Sequence, residues 1–205
     1  MKPTKARWVT IAVVLFLTAG MYGCATVVTE VLKKAWEDRT TQDQVTDTKI
    51  MARMLEYLLD KDKGLLLDIS VDAWERRVML TGTLDDSKIR DEIVSFAKED
   101  IRITILYNEI LIVSPEEKER LRKEREEEKK DEEGGMFSDL WIETKILAQL
   151  LPAKKITSVN YRWRSVTGRI FVIGRAADDL EKSYALELIK SVEGVKSVKE
   201  FIEIK

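Results

Sequence analysis

The sequence contains two copies of one pattern, and this repeat constrains the fold more than any other feature. Residues 47–55 read DTKIMARML and residues 143–151 read ETKILAQLL, so an acid, Thr, Lys and Ile precede matching apolar and polar positions. Farther along, RRVMLTG at 76–82 matches GRIFVIG at 168–174. Self-similarity of this kind indicates tandem structural units, here two modules of about 65 residues each.

Each copy predicts the same order of elements. Apolar residues first recur at helical spacing, and two short runs of alternating polarity then predict a β-hairpin. A second helical pattern and a β-rich stretch, 103–113 or 195–204, complete each copy. We therefore predict an α+β fold of two tandem α-β-β-α-β modules, each a three-stranded sheet with two helices on one face, behind an N-terminal signal or anchor helix. The predicted buried positions of the two first helices are Ile50, Met51, Met54, Leu55, Leu58 and Leu59, and Leu140, Ile142, Ile146, Leu147, Leu150 and Leu151.

Small and acidic residues recur at matching places in both copies. Gly82 and Gly174 end the second strand, where a missing side chain lets another element approach, so we assign both a structural role. The pairs Asp85-Asp86 and Asp178-Asp179 then precede the second helix and suit N-capping and the helix dipole. Metal binding is the alternative for these carboxylates. We predict neither a metal nor any other cofactor.

A highly charged segment separates the copies. Every residue of 116–133 is charged except Leu121, so this stretch cannot bury a core. Pairs such as Glu119 and Lys123 lie four residues apart, which favours a solvated helix. We predict a helical linker over 114–135 that acts as an exposed spacer, with a docking site for a partner as the alternative. Because it offers almost no apolar surface, we expect the modules to fold independently.

The only cysteine, Cys24, follows a basic start and an apolar run over residues 8–17. This order is typical of a secretory signal, and with cysteine next it resembles the bacterial lipoprotein signal, in which the thiol carries diacylglycerol. The resemblance implies a signal peptide at 1–23, a lipid anchor on Cys24 and a tether at 24–42, and Ala25 favours the outer membrane. Two alternatives stay open, a transmembrane anchor, which takes roughly 20 residues, and a cleaved soluble form.

The repeated motifs resemble the BON domain, a module of bacterial envelope proteins. The stretches that carry the resemblance are VTDTKIMARMLEYLL and SDLWIETKILAQLL in the first helices, VMLTG and FVIG in the hairpins, and GVKSV before the last strand. They place a first BON module at 43–113 and a second at 136–205. Paired modules behind a lipoprotein signal are similar to dual-BON outer-membrane lipoproteins, which implies a lipid-anchored envelope protein in the outer membrane, facing the periplasm. The family is implicated in envelope integrity, with phospholipid binding proposed as its activity.

Residue types argue against catalysis. The chain has no histidine for general acid–base chemistry, a single cysteine and no phosphate-binding glycine loop. Its 35 basic and 37 acidic residues nearly cancel, which gives no indication of nucleic-acid binding. We expect a non-enzymatic protein without a small-molecule substrate. Its partner is the membrane or, in a second hypothesis, periplasmic or outer-membrane machinery for which it is a protein-binding scaffold.

One tryptophan distinguishes the second copy from the first. A helical wheel places Trp141 nearly opposite the predicted buried face, with Lys145 one turn along and Ala148 nearby, whereas the first copy has Val45 and Lys49 at the matching positions, so only the tryptophan is specific to the second copy. Tryptophan beside lysine suits a membrane interface, so Trp141, Lys145 and Ala148 are the predicted phospholipid-binding residues. The alternative is that Trp141 packs against the first module or the 25–42 segment.

If Cys24 carries a lipid, Cys24→Ser is expected to leave an unprocessed precursor in the cell. Mass spectrometry of the wild-type N-terminus checks this. A diacylated cysteine should also resist release by high salt, because a single acyl chain anchors only marginally and a second signal makes the anchoring stable. An intact Met1 with an unmodified thiol contradicts the lipid anchor and supports the transmembrane alternative.

Overall fold

A computed structural model describes residues 37–128 and 138–205, and residues 38–205 belong to one compact unit. The predicted signal peptide, Cys24 and most of the predicted tether lie outside the described residues. None of the described helices combines the length and the apolar character that crossing a membrane requires. The predicted fold class is confirmed, since the described residues form two three-stranded sheets, and the main elements of each module follow the order α-β-β-α-β.

The two modules are built from short helices and strands and are joined by one further helix. The first module consists of α1 (Thr41–Lys61), α2 (Leu65–Asp68), β1 (Ile69–Trp74), β2 (Arg77–Leu84), α3 (Ser87–Lys98) and β3 (Ile105–Ile112). The linking helix α4 spans Pro115–Glu128. The second module consists of α5 (Asp139–Leu150), a 3₁₀ turn (Ser158–Asn160), β4 (Tyr161–Val166), β5 (Arg169–Ala176), α6 (Asp179–Ser191) and β6 (Ser197–Ile204).

The two sheets have the same topology. Strand β2 lies between β1, to which it is antiparallel, and β3, to which it is parallel. Strand β5 lies in the same way between β4 and β6. The helices of each module and one face of its sheet enclose a hydrophobic core. The first helices contribute residues at a spacing of four, namely Ile50, Met54 and Leu58 in α1, and Ile142, Ile146 and Leu150 in α5.

A carboxylate of the first helix fixes the hairpin turn in each module. Glu75 and Arg76 have positive φ angles of 49° and 67°, as a two-residue type I′ turn requires. Asp47 of α1 accepts both of their backbone N–H groups, at 2.8 and 2.7 Å. Asp139 of α5 does the same for the Thr167–Gly168 turn, at 2.7 and 2.9 Å. The buried N–H groups of both turns are thereby satisfied.

Gly82 and Gly174 lie where two strands approach each other closely. A Cβ atom at Gly82 would lie 1.9 Å from the carbonyl oxygen of Asp68, and one at Gly174 would lie 2.2 Å from that of Asn160. Each of these carbonyls belongs to the residue just before the first strand of the module. Gly82 also has a φ of +130°, which side chains disfavour. Both positions therefore need glycine for steric reasons.

The second helices begin at the predicted capping residues. Asp86 accepts the backbone N–H of Lys88 at 2.7 Å, and Asp178 accepts that of Glu181 at 2.7 Å. In residues 37–128 and 138–205, no group of three or more potential ligands is arranged to hold a metal ion. N-capping therefore accounts for one aspartate of each pair.

The charged helix α4 is bound to the first module through Asp68. The side chain of Asp68 is fully buried, and Arg122, Arg125 and Lys118 lie 2.7, 3.3 and 3.4 Å from its carboxylate. Lys118 also binds Asp85 at 2.6 Å. A buried carboxylate requires such partners because it has lost its hydration. The linker was predicted as an exposed spacer, and over α4 it is instead held against the module that precedes it.

Gly174→Ala is expected to destabilise the protein by roughly 1–3 kcal/mol, because the added methyl group meets backbone atoms that cannot move aside easily. Gly64→Ala is the matched control. Gly64 has a φ of −63°, and a Cβ there meets only the ends of flexible side chains, so we expect a change within about 0.5 kcal/mol. Denaturant unfolding measures both. Equal stability of the two variants would contradict the steric role of Gly174.

Candidate membrane-contact surface

The two sheets pack against each other through the faces that their own helices leave open. The buried cluster between them consists of Trp74, Met79, Val166, Phe171 and Ile173. At one side of it, Tyr107 of β3 stacks on Phe201 of β6 with ring centroids 3.9 Å apart. The expectation of independent folding rested on the linker, which offers almost no apolar surface to couple the modules, whereas the strands supply such a surface. Independent folding of residues 136–205 stays a prediction.

An ion pair with a buried carboxylate crosses this interface and reaches α5. Arg164 of β4 binds Asp72 of β1 through two hydrogen bonds of 2.8 and 2.9 Å. Burial raises the pKa of Asp72, and Arg164 only partly opposes this, so the pair orients the sheets more than it stabilises them. Arg164 also lies 3.8 Å from Glu143 of α5, whose pKa is likewise raised by burial. One arginine therefore connects α5 with the first module.

Each sheet also supplies an arginine to the other. Arg77 of β2 is buried and donates to the backbone carbonyls of Phe201 and Gly174 in the second module, at 2.8 and 2.9 Å. Arg175 of β5 lies 2.6 Å from Glu75 in the hairpin turn of the first module, and burial raises the pKa of Glu75. These contacts fix the relative orientation of the modules, because guanidinium groups bind in defined geometries.

The residues just before α1 belong to this interface as well. The backbone N–H of Asp38 donates to the side chain of Asn160 in the second module at 2.9 Å. Arg39 binds Asp47 of the first module at 2.5 Å, and its guanidinium lies 4.4 Å from the ring centroid of Trp74. The end of the predicted tether therefore bridges both modules.

Helix α5 buries a narrower stripe than its sequence predicts. Leu140, Leu147 and Leu151, which were predicted to face the sheet, are 58%, 45% and 66% exposed. Polar contacts flank the buried stripe instead. Glu143 accepts the backbone N–H of Ser165 at 2.8 Å, and Gln149 accepts the hydroxyl of Ser191 at 3.1 Å. The sheet therefore takes up only one residue per turn, and the leucines farther around the helix are left in solvent.

Trp141 lies at the edge of this exposed face and not at its centre. Its ring is half-buried and packs against the hydrophobic core of the second module. The Nζ atom of Lys145 lies 5.0 Å from the ring centroid, a cation–π distance, while Lys145 and Ala148 are exposed. The predicted trio is thus brought together, but beside leucines that the prediction placed in the core. We call the combined patch the α5 surface; it comprises Leu140, Trp141, Lys145, Leu147, Ala148 and Leu151.

The corresponding face of α1 differs from the α5 surface in charge. Its exposed Leu55 matches Leu151, but exposed Glu56 and Asp60 lie beside it. Exposed Lys49 of α1 matches Lys145, but α5 is followed by two adjacent exposed lysines, at 154–155. The α5 surface is therefore more positive than the corresponding face of α1 and attracts anionic surfaces more strongly.

Arg164→Ala is expected to lower the free energy of unfolding by about 3 kcal/mol, because it leaves Asp72 buried without its partner. The double variant Asp72→Ala, Arg164→Ala should cost less than the sum of the single variants, since the two residues interact directly. Chemical denaturation of residues 38–205 measures all three. Strictly additive effects would show that this pair does not couple the modules.

Comparison with known proteins finds a family match for the module that bears the α5 surface. Residues 138–205 match the family model of the BON domain. The chain is 27% identical over 163 residues to a protein in the gshII 5′ region of Anaplasma centrale, which covers 78% of this chain and 96% of that protein. It is 24% identical over 194 residues to the outer membrane lipoprotein DolP of Haemophilus influenzae, which covers 92% of each. A solved structure with similarity is the C-terminal domain of CdsD, the structural protein of the type III secretion system of Chlamydia trachomatis, with 12% identity, a TM-score of 0.29, and 78% of this chain and 67% of that chain covered. The family match therefore identifies the second module, residues 138–205, as a BON domain.

Proposed function

We propose that the protein is a non-enzymatic envelope lipoprotein that maintains outer-membrane integrity. A lipid on Cys24 anchors it in the outer membrane, facing the periplasm. Its second BON module contacts anionic phospholipid head groups through the α5 surface, which includes the predicted residues Trp141, Lys145 and Ala148. The similarity to DolP over nearly the whole chain supports an envelope-associated, non-enzymatic lipoprotein.

The observation that carries the lipid contact is the row of exposed leucines on α5. Leu140, Leu147 and Leu151 lie on the face opposite the buried stripe, so one flat surface can contact all three at once. Fully burying a leucine side chain is worth roughly 1.5–3 kcal/mol. Partial burial of three side chains supports a weak, reversible contact, which an anchor at the membrane strengthens.

The neighbouring residues match the two layers of a bilayer surface. The Trp141 ring sits beside the leucines with its lysine above it, and aromatic rings of this kind favour the head-group level. Lys145 and the lysines of 154–155 are exposed and supply positive charge. Basic residues near an anionic leaflet contribute about 1 kcal/mol each. Apolar burial and charge attraction therefore act on the same surface.

A second candidate function is a scaffold for periplasmic or outer-membrane proteins. The observation that favours it is the corresponding face of α1, where Leu55 and Leu59 are exposed beside Glu56 and Asp60. An apolar stripe with acidic neighbours suits a basic protein partner. Vesicle binding distinguishes the two functions, because only the first requires lipid.

Residues 38–205 are expected to bind vesicles of phosphatidylglycerol and phosphatidylcholine, and to bind pure phosphatidylcholine much more weakly. The double variant Leu147→Gln, Leu151→Gln should raise the dissociation constant roughly 10-fold, because it removes apolar area from the contact. Leu55→Gln, Leu59→Gln in α1 is the matched control and should change it less than about 2-fold. Vesicle co-sedimentation measures all three proteins.

Lys145→Glu should weaken binding further and reduce its dependence on salt, since it replaces an attraction by a repulsion. Trp141→Ala should also weaken binding, but its partial packing against the core makes a stability measurement necessary beside it. Absence of any wild-type binding would end the lipid hypothesis and leave the scaffold. Equal losses in the α1 and α5 double variants would show that the contact is not made by α5.

A further inference from the structure

The loop between α3 and β3 of the first module holds an isoleucine almost completely in solvent. Ile101 is 92% exposed, the most exposed of the large apolar side chains in the described part of the chain. The position that corresponds to it in the second module, four residues before β6, is Glu193, which is also exposed. The two loops share their backbone pairing, since Thr104 bonds to Arg76 as Lys196 bonds to Gly168, at 2.9 and 2.8 Å. The corresponding loops of the two modules therefore expose different residues, an isoleucine in the first and a glutamate in the second.

The loop that carries Ile101 is braced by charged hydrogen bonds. Arg76, in the hairpin turn, donates to the backbone carbonyls of Arg102 and Ile101 at 2.7 and 3.4 Å. Asp100 is buried and binds the guanidinium of Arg102 at 2.6 and 2.8 Å and that of Arg53 at 3.1 Å. Several strong bonds therefore hold the backbone around Ile101 in one conformation.

The same bonds surround the exposed side chain with positive charge. Arg53, Arg76 and Arg102 come from three different parts of the module and converge on the loop. Asp100 pairs with Arg53 and Arg102, whereas Arg76 donates to backbone carbonyls. The neighbouring Lys98 and Glu99 cancel each other. The loop therefore presents an apolar side chain at a rigid tip, with guanidinium groups around its base.

We propose that this loop is a second membrane contact, in which Ile101 inserts among the lipids of an anionic bilayer while Arg53, Arg76 and Arg102 face their phosphates. A single convex side chain offers too little area for a stable protein interface, which buries many residues around a central cluster. A bilayer instead surrounds an inserted side chain on all sides, and its phosphates bind guanidinium groups well. The inference rests on the proposed function only in placing the chain at an anionic membrane, because this loop belongs to the other module.

The test uses a local reporter in the full chain. Cys24 is the only cysteine, so Cys24→Ser with Ile101→Cys gives a single labelling site for a polarity-sensitive fluorophore. The labelled protein is mixed with vesicles of phosphatidylglycerol and phosphatidylcholine, or of phosphatidylcholine alone, that contain a nitroxide lipid at head-group depth. We expect a blue shift and at least 2-fold stronger quenching with the anionic vesicles, and a loss of both at high salt. The readout is local and does not depend on how the rest of the chain is held.

Two matched labels make the outcomes distinguishable. Glu193→Cys, in the same background, reports the corresponding loop of the second module and should show no quenching. Equal quenching at 101 and 193, or none at 101, overturns the inference. Leu151→Cys reports the α5 surface. Quenching at 151 without quenching at 101 supports the proposed function and contradicts this second contact. Quenching at 101 without quenching at 151 supports the second contact and contradicts the proposed contact through α5.

A second variant tests the inference without a fluorophore. Ile101→Glu gives the first module the residue of the second, and its near-complete exposure means that the fold should tolerate it. Circular dichroism and the unfolding midpoint should match wild type, while binding of residues 38–205 to anionic vesicles should fall several-fold. Wild-type binding by a folded Ile101→Glu variant would also overturn the inference.

Discussion

The contact between the open faces of the two sheets is the interaction on which the rest of the described structure depends. Trp74 lies at its centre, fully buried, with the guanidinium groups of Arg39 and Arg162 4.4 and 5.3 Å from its ring. A three-stranded sheet with helices on one face leaves its other face to water unless something covers it. Here each module covers the other. The Asp72–Arg164 pair then selects one orientation, since its cost in desolvation is offset only when both hydrogen bonds form.

The repeat also shows how one position can take different roles in two copies. Asp68 and Asn160 both precede the first strand, and both place their carbonyl against the glycine of the second strand. Their side chains bind segments from outside the α-β-β-α-β unit. Asp68 binds the linking helix through Arg122, and Asn160 binds the backbone of Asp38 before the first module. These two equivalent positions therefore bind the segments that precede and follow the first module.

The sequence predicts the repeat, the element order and the two close-approach glycines, because each depends on local patterns that are the same in both copies. It does not predict the contact between the sheets. Residues such as Trp74 and Phe171 alternate with core residues along their strands, so period-two patterning alone does not reveal that both faces are buried. The sequence also predicted too wide a buried stripe on α5, for a related reason. A helical wheel shows which residues share a side, but how far the sheet reaches around the helix is set by contacts such as Glu143 with Ser165.

A fixed arrangement of the modules matters for weak membrane contacts. Surfaces on two loosely tethered domains each lose orientational freedom on binding, whereas surfaces on one rigid unit lose it once. Arg164 connects α5 directly with Asp72, so the α5 surface keeps its orientation relative to the first module. The proposed lipid contact assigns the more positive of the two first helices to the membrane, although their backbones are alike. The two copies share the fold and the close-approach glycines, whereas exposed residues on the first helices and on the loops before β3 and β6 differ between them.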